Sequence, residues 1–98
     1  MKTNELTCQH LVQFRMENFY GIIWNDSVVV FADSVSDDPF GTLSYHANLQ
    51  LKTRFRDDLT SSISVWDIQA VWVAPKVAMN LPDCRNYMKN TEPIWEGN

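Results

Sequence analysis

The segment FADSVSDDPFG, residues 31–41, carries the densest set of groups that could do chemistry. Asp33, Asp37 and Asp38 place three carboxylates within six residues. Hard cations such as Ca²⁺ take several oxygen ligands, but the spacing here departs from a calcium-binding loop and no glutamate closes the pattern. Ser, Asp, Pro and Gly are equally the residues that turns require. We therefore expect a solvated turn or an acidic edge that docks onto a partner, rather than a metal site.

A basic group, Lys52, Arg54 and Arg56, follows a stretch, residues 17–51, that holds no Lys or Arg. Together with the polar residues at even positions from His46 onward, it would line one face of a strand. Arg and Lys bind phosphates and carboxylates, but a nucleic-acid strip on a sheet usually adds stacking aromatics, and these even positions have none. The pattern favours a solvated face, with protein docking and nucleic-acid binding as alternatives.

Two thiols and two imidazoles, those of Cys8, His10, His46 and Cys84, are available for zinc or for nucleophilic catalysis. Zinc sites normally contain close Cys or His pairs at fixed spacing, and this chain has none. There is no nucleophile-elbow, P-loop or dinucleotide-binding motif, and a total of three glycines argues against a phosphate-cradling loop. The sequence predicts no catalytic residue, no metal and no cofactor. A small enzyme or enzyme subunit that uses acids and His46 stays open as a second alternative.

The composition is that of one globular domain over residues 1–98, with 45% apolar and 20% charged residues and a net charge of −4. An acidic balance argues against a general nucleic-acid binder. We find no apolar signal-peptide core and no run long enough to span a membrane, so we expect a cytoplasmic protein without a membrane partner. Unpaired Cys8 and Cys84 fit that compartment better than a disulfide between them, although the sequence leaves the pairing open.

The elements that must position these groups read mostly as strands. The runs GIIW and VVVFAD flank Asn25-Asp26 and predict a hairpin. The clearest pattern is TLSYHANLQLKTRF, in which the odd positions from Leu43 to Phe55 are apolar, Thr53 excepted, and the even ones polar. A strand with one core face explains the alternation, although some of its apolar residues also recur every four residues as in a helix. We prefer the strand for residues 43–55.

Downstream, ISVWDIQAVWV at residues 63–73 predicts a strand buried on both sides, or two short strands broken near Asp67. If the strand is continuous, Trp66 and Trp72 share a face. The tail from Lys76 onward predicts irregular structure with one short helix in PDCRNYMKN. The sum is a mainly β fold, with α+β as an alternative. We expect one small antiparallel sheet or barrel of five to six strands, an irregular C-terminal tail and that short helix.

The aromatic residues suggest a surface for a partner. Trp, Tyr and Arg are over-represented at interface hot spots, and Trp24, Phe40 and Trp95 lie near turns or in the tail. No known family is recognisable. Small acidic β proteins without catalytic motifs, such as immunity proteins and phage inhibitors, commonly occlude another macromolecule. We therefore expect a protein-binding module, an inhibitor, immunity or regulatory protein, that covers the basic surface of a nucleic-acid-handling partner. A homodimer is compatible with this prediction.

Overall fold

A computed structural model describes residues 1–33, 43–74 and 81–97, with the side chains of Asp33, Leu43, Ser44 and residues 81–83 left out. The strands are β1 (His10–Phe14), β2 (Phe19–Trp24), β3 (Ser27–Asp33), β4 (Leu43–Gln50), β5 (Ile68–Val73) and β6 (Trp95–Glu96). The helices are α1 (Leu51–Arg54) and α2 (Leu81–Asn90), and short 3₁₀ turns span Thr3–Glu5 and Ser64–Trp66.

These strands form one open antiparallel sheet in the order β4-β3-β2-β1-β5-β6. The predicted mainly β fold is confirmed, and of the two predicted forms the sheet is open rather than closed into a barrel. The predicted hairpin is also present, because Trp24 pairs with Ser27 and leaves Asn25-Asp26 as a two-residue turn. Asn25 has a φ of 55°, a left-handed conformation that Asn adopts more readily than most residues.

The two faces of the sheet bury separate apolar clusters. The first cluster contains Leu6, Val12, Phe14, Ile23, Val28, Val30, Leu49, Leu51, Phe55, Leu59, Ile68 and Val71. The second contains Leu11, Tyr20, Ala70, Trp72, Cys84 and Met88. The N-terminal segment, α1 and the loop after it therefore cover the first face, and α2 covers part of the second.

Residues 43–55 combine the two structures that the sequence left open. The strand ends at Gln50, and one turn of helix, α1, follows at Leu51. The backbone N–H of Leu51 donates to the carbonyl of Asp26 at 2.8 Å, and that of Phe55 donates to Leu51 at 3.1 Å. The strand prediction is thus right for the first eight residues, and the recurrence every four residues reflects the helical turn beyond them.

A β-bulge in β4 overturns part of the predicted core face. Val30 pairs with Ala47, but the next residue of β3, Phe31, pairs with Tyr45, so His46 is an extra residue. A bulge of this kind shifts the alternation of side chains by one position. Leu49 remains buried, whereas Tyr45 lies on the opposite face with 65% of its surface exposed.

The strand predicted over residues 63–73 is broken near Asp67, which was the alternative to one continuous strand. Residues Ser64–Trp66 form a 3₁₀ turn and β5 begins after Asp67, whose buried carboxylate accepts the backbone N–H of Ser61 at 2.7 Å. Within β5 the pairing with β1 also shifts by one residue, because Gln13 pairs with Ala70 and Phe14 with Ile68. Trp66 packs against the first cluster, and Trp72 lies in the second. The two indoles were expected to share a face only if the strand were continuous, and that condition is not met.

The C-terminal tail is more regular than predicted. The short helix is confirmed as α2, and β6 adds two residues to the sheet beside β5. The indole N–H of Trp72 donates to the carbonyl of Thr91 at 2.8 Å, which ties the end of α2 to β5. Within the described ranges, no helix is long and apolar enough to cross a membrane.

Gly21, in β2, leaves no space for a Cβ atom and allows a direct test of the packing. A Cβ atom there would lie 2.8 Å from Cγ2 of Val12 and closer still to Cγ1 of Val28. We expect Gly21→Ala to lower the free energy of unfolding by about 1–3 kcal/mol, measured by urea denaturation, because the first cluster must shift to admit the methyl group.

Gly97→Ala is the matched control for this substitution. Its Cβ would meet the outer edge of the Trp95 ring at 3.0 Å, near the end of the chain. We expect a change within about 0.5 kcal/mol. Equal losses for the two variants would contradict the packing described at Gly21.

Candidate functional site

The predicted acidic edge lies largely outside the described residues. Asp33 ends β3, and its side chain is not described, while Asp37, Asp38 and Phe40 fall between the described ranges. Docking through Asp33, Asp37 and Asp38 and anchoring by Phe40 therefore stay predictions.

The predicted basic strip is not formed as one face of a strand. Lys52 and Arg54 lie on α1, where residues two apart point in different directions. The Arg56 guanidinium follows the helix and donates to the Thr60 hydroxyl at 3.3 Å and the Ser61 carbonyl at 3.2 Å. Two of the three basic groups are thus exposed on α1, and the third is held against its own loop.

The predicted tryptophan anchors are placed very differently. Trp95 is half-buried in β6 and packs against the first cluster, which favours a structural role. Trp24, at the end of β2, keeps 63% of its surface exposed. A side chain with so much apolar area normally loses most of it to the core, so this exposure needs another explanation.

Trp24 belongs to an apolar stripe on the second face of the sheet, which we call the aromatic stripe. Its members are Trp24, Ile22, Val29, Phe31 and Tyr45. Trp24, Ile22 and the buried Tyr20 alternate along β2 and therefore share the face that α2 partly covers. Val29 lies opposite Ile22 on the neighbouring strand, and Phe31 lies opposite Tyr45.

The aromatic stripe runs along the outer half of the sheet, beyond the residues that α2 buries. The rings of Phe31 and Tyr45 meet edge to face, with centroids 6.4 Å apart. Trp24 pairs with Ser27 at one end of β3, and Phe31 lies four residues further along that strand. The aromatic stripe is therefore roughly 14 Å long. Ile22 packs against the second cluster, whereas Val29 and Phe31 are half-buried members of neither cluster among the described residues.

A cleft of about 270 Å³ opens at the end of the sheet, beside the β2–β3 turn. We call it the Asp26–Asp57 cleft. Its lining residues are Thr3, Asn4, Leu6, Asn25, Asp26, Leu51, Lys52, Phe55 and Asp57. Three separated segments contribute to it: the N-terminal segment with its 3₁₀ turn, the β2–β3 turn, and α1 with the start of the loop that follows it.

Backbone and hydroxyl hydrogen bonds hold these segments together. The Thr3 N–H donates to the carbonyl of Asp57 at 2.9 Å. The buried Thr3 hydroxyl donates to the carbonyl of Arg56 and accepts the N–H of Leu59 at 3.1 Å. The bond from Leu51 to the Asp26 carbonyl fixes α1 against the β2–β3 turn. These bonds use main-chain groups and the Thr3 hydroxyl, and none of them involves the side chains of Asp26, Lys52 or Asp57.

The charged side chains of the Asp26–Asp57 cleft are those of Asp26, Asp57 and Lys52, and all three are exposed. The side chains of Asp26, Asp57 and Lys52 make no hydrogen bond or ion pair with any residue in the described part of the chain. Two carboxylates and one ammonium give the lining a formal charge of −1. The sequence offered no signal for this cleft, because its residues are spread over the range 3–57 without a common spacing.

One carboxyl beside the cleft is perturbed. The hydroxyl and the backbone N–H of Thr60 donate to the Asp58 carboxylate, at 2.5 and 3.2 Å. These bonds, with a smaller contribution from the charge of Arg56, hold the pKa of Asp58 below its usual value. Asp58 is fully exposed and does not line the cleft, so it serves as a reference carboxylate for the site.

The cysteines and histidines do not assemble into a centre. Cys8 is exposed and Cys84 is buried in the second cluster, and no disulfide joins them. The ring of His46 packs on Phe19 and Trp66, at centroid distances of 4.7 and 5.7 Å. Among the described residues, no group of three or more His, Cys, Asp or Glu side chains is placed to hold a metal ion.

Comparison with known proteins yields no relative. The chain matches no family model, no curated protein and no solved structure.

The Thr3 hydroxyl provides a test of how the cleft is held. Thr3→Val removes the hydroxyl that bonds the Leu59 N–H and the Arg56 carbonyl, and it leaves that N–H only its 3.3 Å bond to the same carbonyl. The loss of a hydrogen bond costs about 0.5–1.5 kcal/mol. We expect a loss of that size in the free energy of unfolding, together with faster amide hydrogen exchange at Leu59. Thr53→Val removes an exposed hydroxyl from α1 and should change stability by less than about 0.5 kcal/mol. If the Leu59 amide exchanged hydrogen as slowly in Thr3→Val as in the wild type, the hydrogen bonds described for the Thr3 hydroxyl would be contradicted.

The Asp58 carboxyl gives a pH-dependent test of the loop beside the cleft. Its hydrogen bonds favour the charged form, so the stability that they contribute is present at neutral pH and is lost as the pH falls through the lowered pKa. Thr60→Val removes the hydroxyl donor, and we expect the pKa of Asp58, followed by carboxyl ¹³C NMR, to rise toward its usual value. Thr53→Val should leave that pKa where it is. A pKa that does not move in Thr60→Val would show that the hydroxyl bond is absent in solution.

Proposed function

We propose that this protein is a binding module that engages another protein through its aromatic stripe. The observation that carries the proposal is the exposure of Trp24, 63%, beside that of Tyr45, 65%, on one face of a regular sheet. An exposed indole with neighbouring half-buried apolar residues is typical of interface hot spots, where one or two aromatic anchors carry much of the binding free energy.

The position of the aromatic stripe on strands supports this role. Trp24 and Tyr45 are held by β2 and β4, and strand residues lose little further conformational entropy on binding. The two rings mark the ends of the stripe, and Ile22 and Val29 fill the space between them. A partner that covers all of them would bury a continuous apolar surface, which is the arrangement that separates a binding site from scattered apolar residues.

The charge of the chain indicates the kind of partner. A net charge of −4 favours a basic protein surface, and complementary charge raises the rate of association more than the affinity. Proteins that handle nucleic acid present such surfaces. The proposal is therefore an inhibitor, immunity or regulatory protein that acts by occlusion. We place it in the cytoplasm, because an exposed free thiol, that of Cys8, is stable in a reducing compartment.

Binding of nucleic acid through Lys52, Arg54 and Arg56 is the weaker candidate. Arg56 is already hydrogen-bonded within its loop, and Lys52 lines the cleft that also contains Asp26 and Asp57. The aromatic stripe itself contains no cationic side chain. These placements remove the continuous basic strip that nucleic-acid binding would need.

The proposal is tested by capture from a lysate of the cells that make the protein, with and without nuclease, using the wild-type chain and Trp24→Ala as baits. We expect one dominant protein that survives nuclease. Its dissociation constant, remeasured with purified components, should rise by about thirtyfold or more in Trp24→Ala, as for a hot-spot residue. Because Trp24 is exposed, the free energy of unfolding of the variant should stay within about 0.5 kcal/mol of wild type.

Ile94→Ala is the control, since Ile94 is 56% exposed and lies outside the aromatic stripe. It should bind like the wild type. Three outcomes would contradict the proposal: equal effects in the two variants, capture that vanishes with nuclease, or a concentration-dependent homodimer that Trp24→Ala abolishes. The second would favour Lys52 and Arg54 as nucleic-acid contacts, and the third would assign the stripe to a second copy of the chain.

A further inference from the structure

We propose that the Asp26–Asp57 cleft binds the guanidinium group of an arginine side chain. The inference rests on the proposed function in one respect, namely that the arginine belongs to the protein partner. The chemistry of the cleft is argued from its own residues and does not depend on the aromatic stripe.

The volume of the cleft suits a side chain rather than a cofactor. At about 270 Å³ it lies just below the range of roughly 300–1,000 Å³ in which sites for drug-sized ligands fall. It is also open to solvent on one side, since Asp26, Lys52 and Asp57 are all exposed. A long side chain from a neighbouring protein surface can enter such an opening end first.

The apolar part of the lining matches the stem of an arginine. Leu6, Leu51 and Phe55 are each exposed by only 7% and belong to the first cluster, yet they also line the cleft. Lys and Arg commonly bury their methylene stems on apolar surfaces while the charged head stays near polar groups. The same cleft is also lined by polar side chains that could bind the charged head.

The polar part of the lining is rich in acceptors. The carboxylates of Asp26 and Asp57 and the side-chain amides of Asn4 and Asn25 supply oxygen atoms from three different segments. A guanidinium offers five N–H donors in a fixed planar arrangement and can bond to several oxygens at once, whereas an ammonium offers three donors from one point. Acceptors spread around a cleft therefore favour arginine over lysine.

Lys52 lowers the charge of the cleft but does not reverse it. The lining keeps a formal charge of −1, which favours a cation over an anion. The Lys52 side chain is exposed and has no partner in the described part of the chain, so its ammonium can turn toward water when a guanidinium enters. Lysine is strongly hydrated and flexible, which makes this displacement inexpensive. We expect Lys52→Met to tighten guanidinium binding.

The test titrates the ¹⁵N-labelled chain with N-acetyl-arginine amide and follows backbone amide shifts by NMR. We expect saturable shifts at Asn25, Asp26 and Leu51, with a dissociation constant on the order of millimolar for so small a ligand. N-acetyl-citrulline amide has nearly the same shape without the charge, and we expect it to bind at least about tenfold more weakly.

Three carboxylate variants supply the matched controls. Asp26→Asn and Asp57→Asn each keep the shape of the side chain and remove one charge of the cleft, and we expect about three- to tenfold weaker binding in each. Asp58→Asn makes the same change one residue outside the lining and should stay within about twofold of wild type. Unchanged affinity in both cleft variants, citrulline that binds as well as arginine, or shifts that do not saturate would overturn the inference.

The two proposals can fail separately. If the protein captures a partner in a Trp24-dependent way but does not bind the arginine probe, the proposed function is supported and the guanidinium site is overturned. If the protein binds the probe in a way that depends on Asp26 and Asp57 but captures no protein, the guanidinium site is supported and the proposed function is overturned.

Discussion

Burial on both faces of the central strands is the constraint on which the rest of the structure depends. Leu11 and Val12 are neighbours in β1, point to opposite faces and are both almost fully buried. A small chain can bury both faces of a sheet only by placing other segments over each. Here the N-terminal turn, α1 and the loop after it cover the first face, and α2 covers part of the second.

The aromatic stripe and the Asp26–Asp57 cleft both result from the way these segments are placed over the two faces of the sheet. On the second face, the buried cluster ends near Ile22, and the aromatic stripe extends from there across β3 and β4. On the first face, the N-terminal turn meets α1 and the β2–β3 turn without filling the space between them, which leaves the Asp26–Asp57 cleft. The two surfaces adjoin at the β2–β3 turn, because Trp24 immediately precedes Asn25. One partner could contact both.

The candidate site was only partly accessible from the sequence. Trp24 was predicted as an anchor because a tryptophan beside a turn is commonly exposed, and its side chain is indeed exposed to solvent. Tyr45 was expected in the core, and its exposure depends on the bulge at His46. The Asp26–Asp57 cleft could not be predicted, since a cleft formed by three separate segments has no local sequence pattern. Its carboxylates looked like ordinary turn residues, which locally they are.

The sequence by itself determined the local structure: the alternation that makes strands, the turn at Asn25-Asp26, the short helix α2 and the acidic balance of the surface. These features depend on neighbouring residues and on composition. Only the tertiary structure decided which face of the sheet a side chain lies on after the strand pairing shifts, as it does for Tyr45 and for Trp66 and Trp72. The physical reason is the two-residue period of a strand, because one extra residue inverts every later side chain. Whether that residue is inserted depends on pairing with another strand, which no local pattern records.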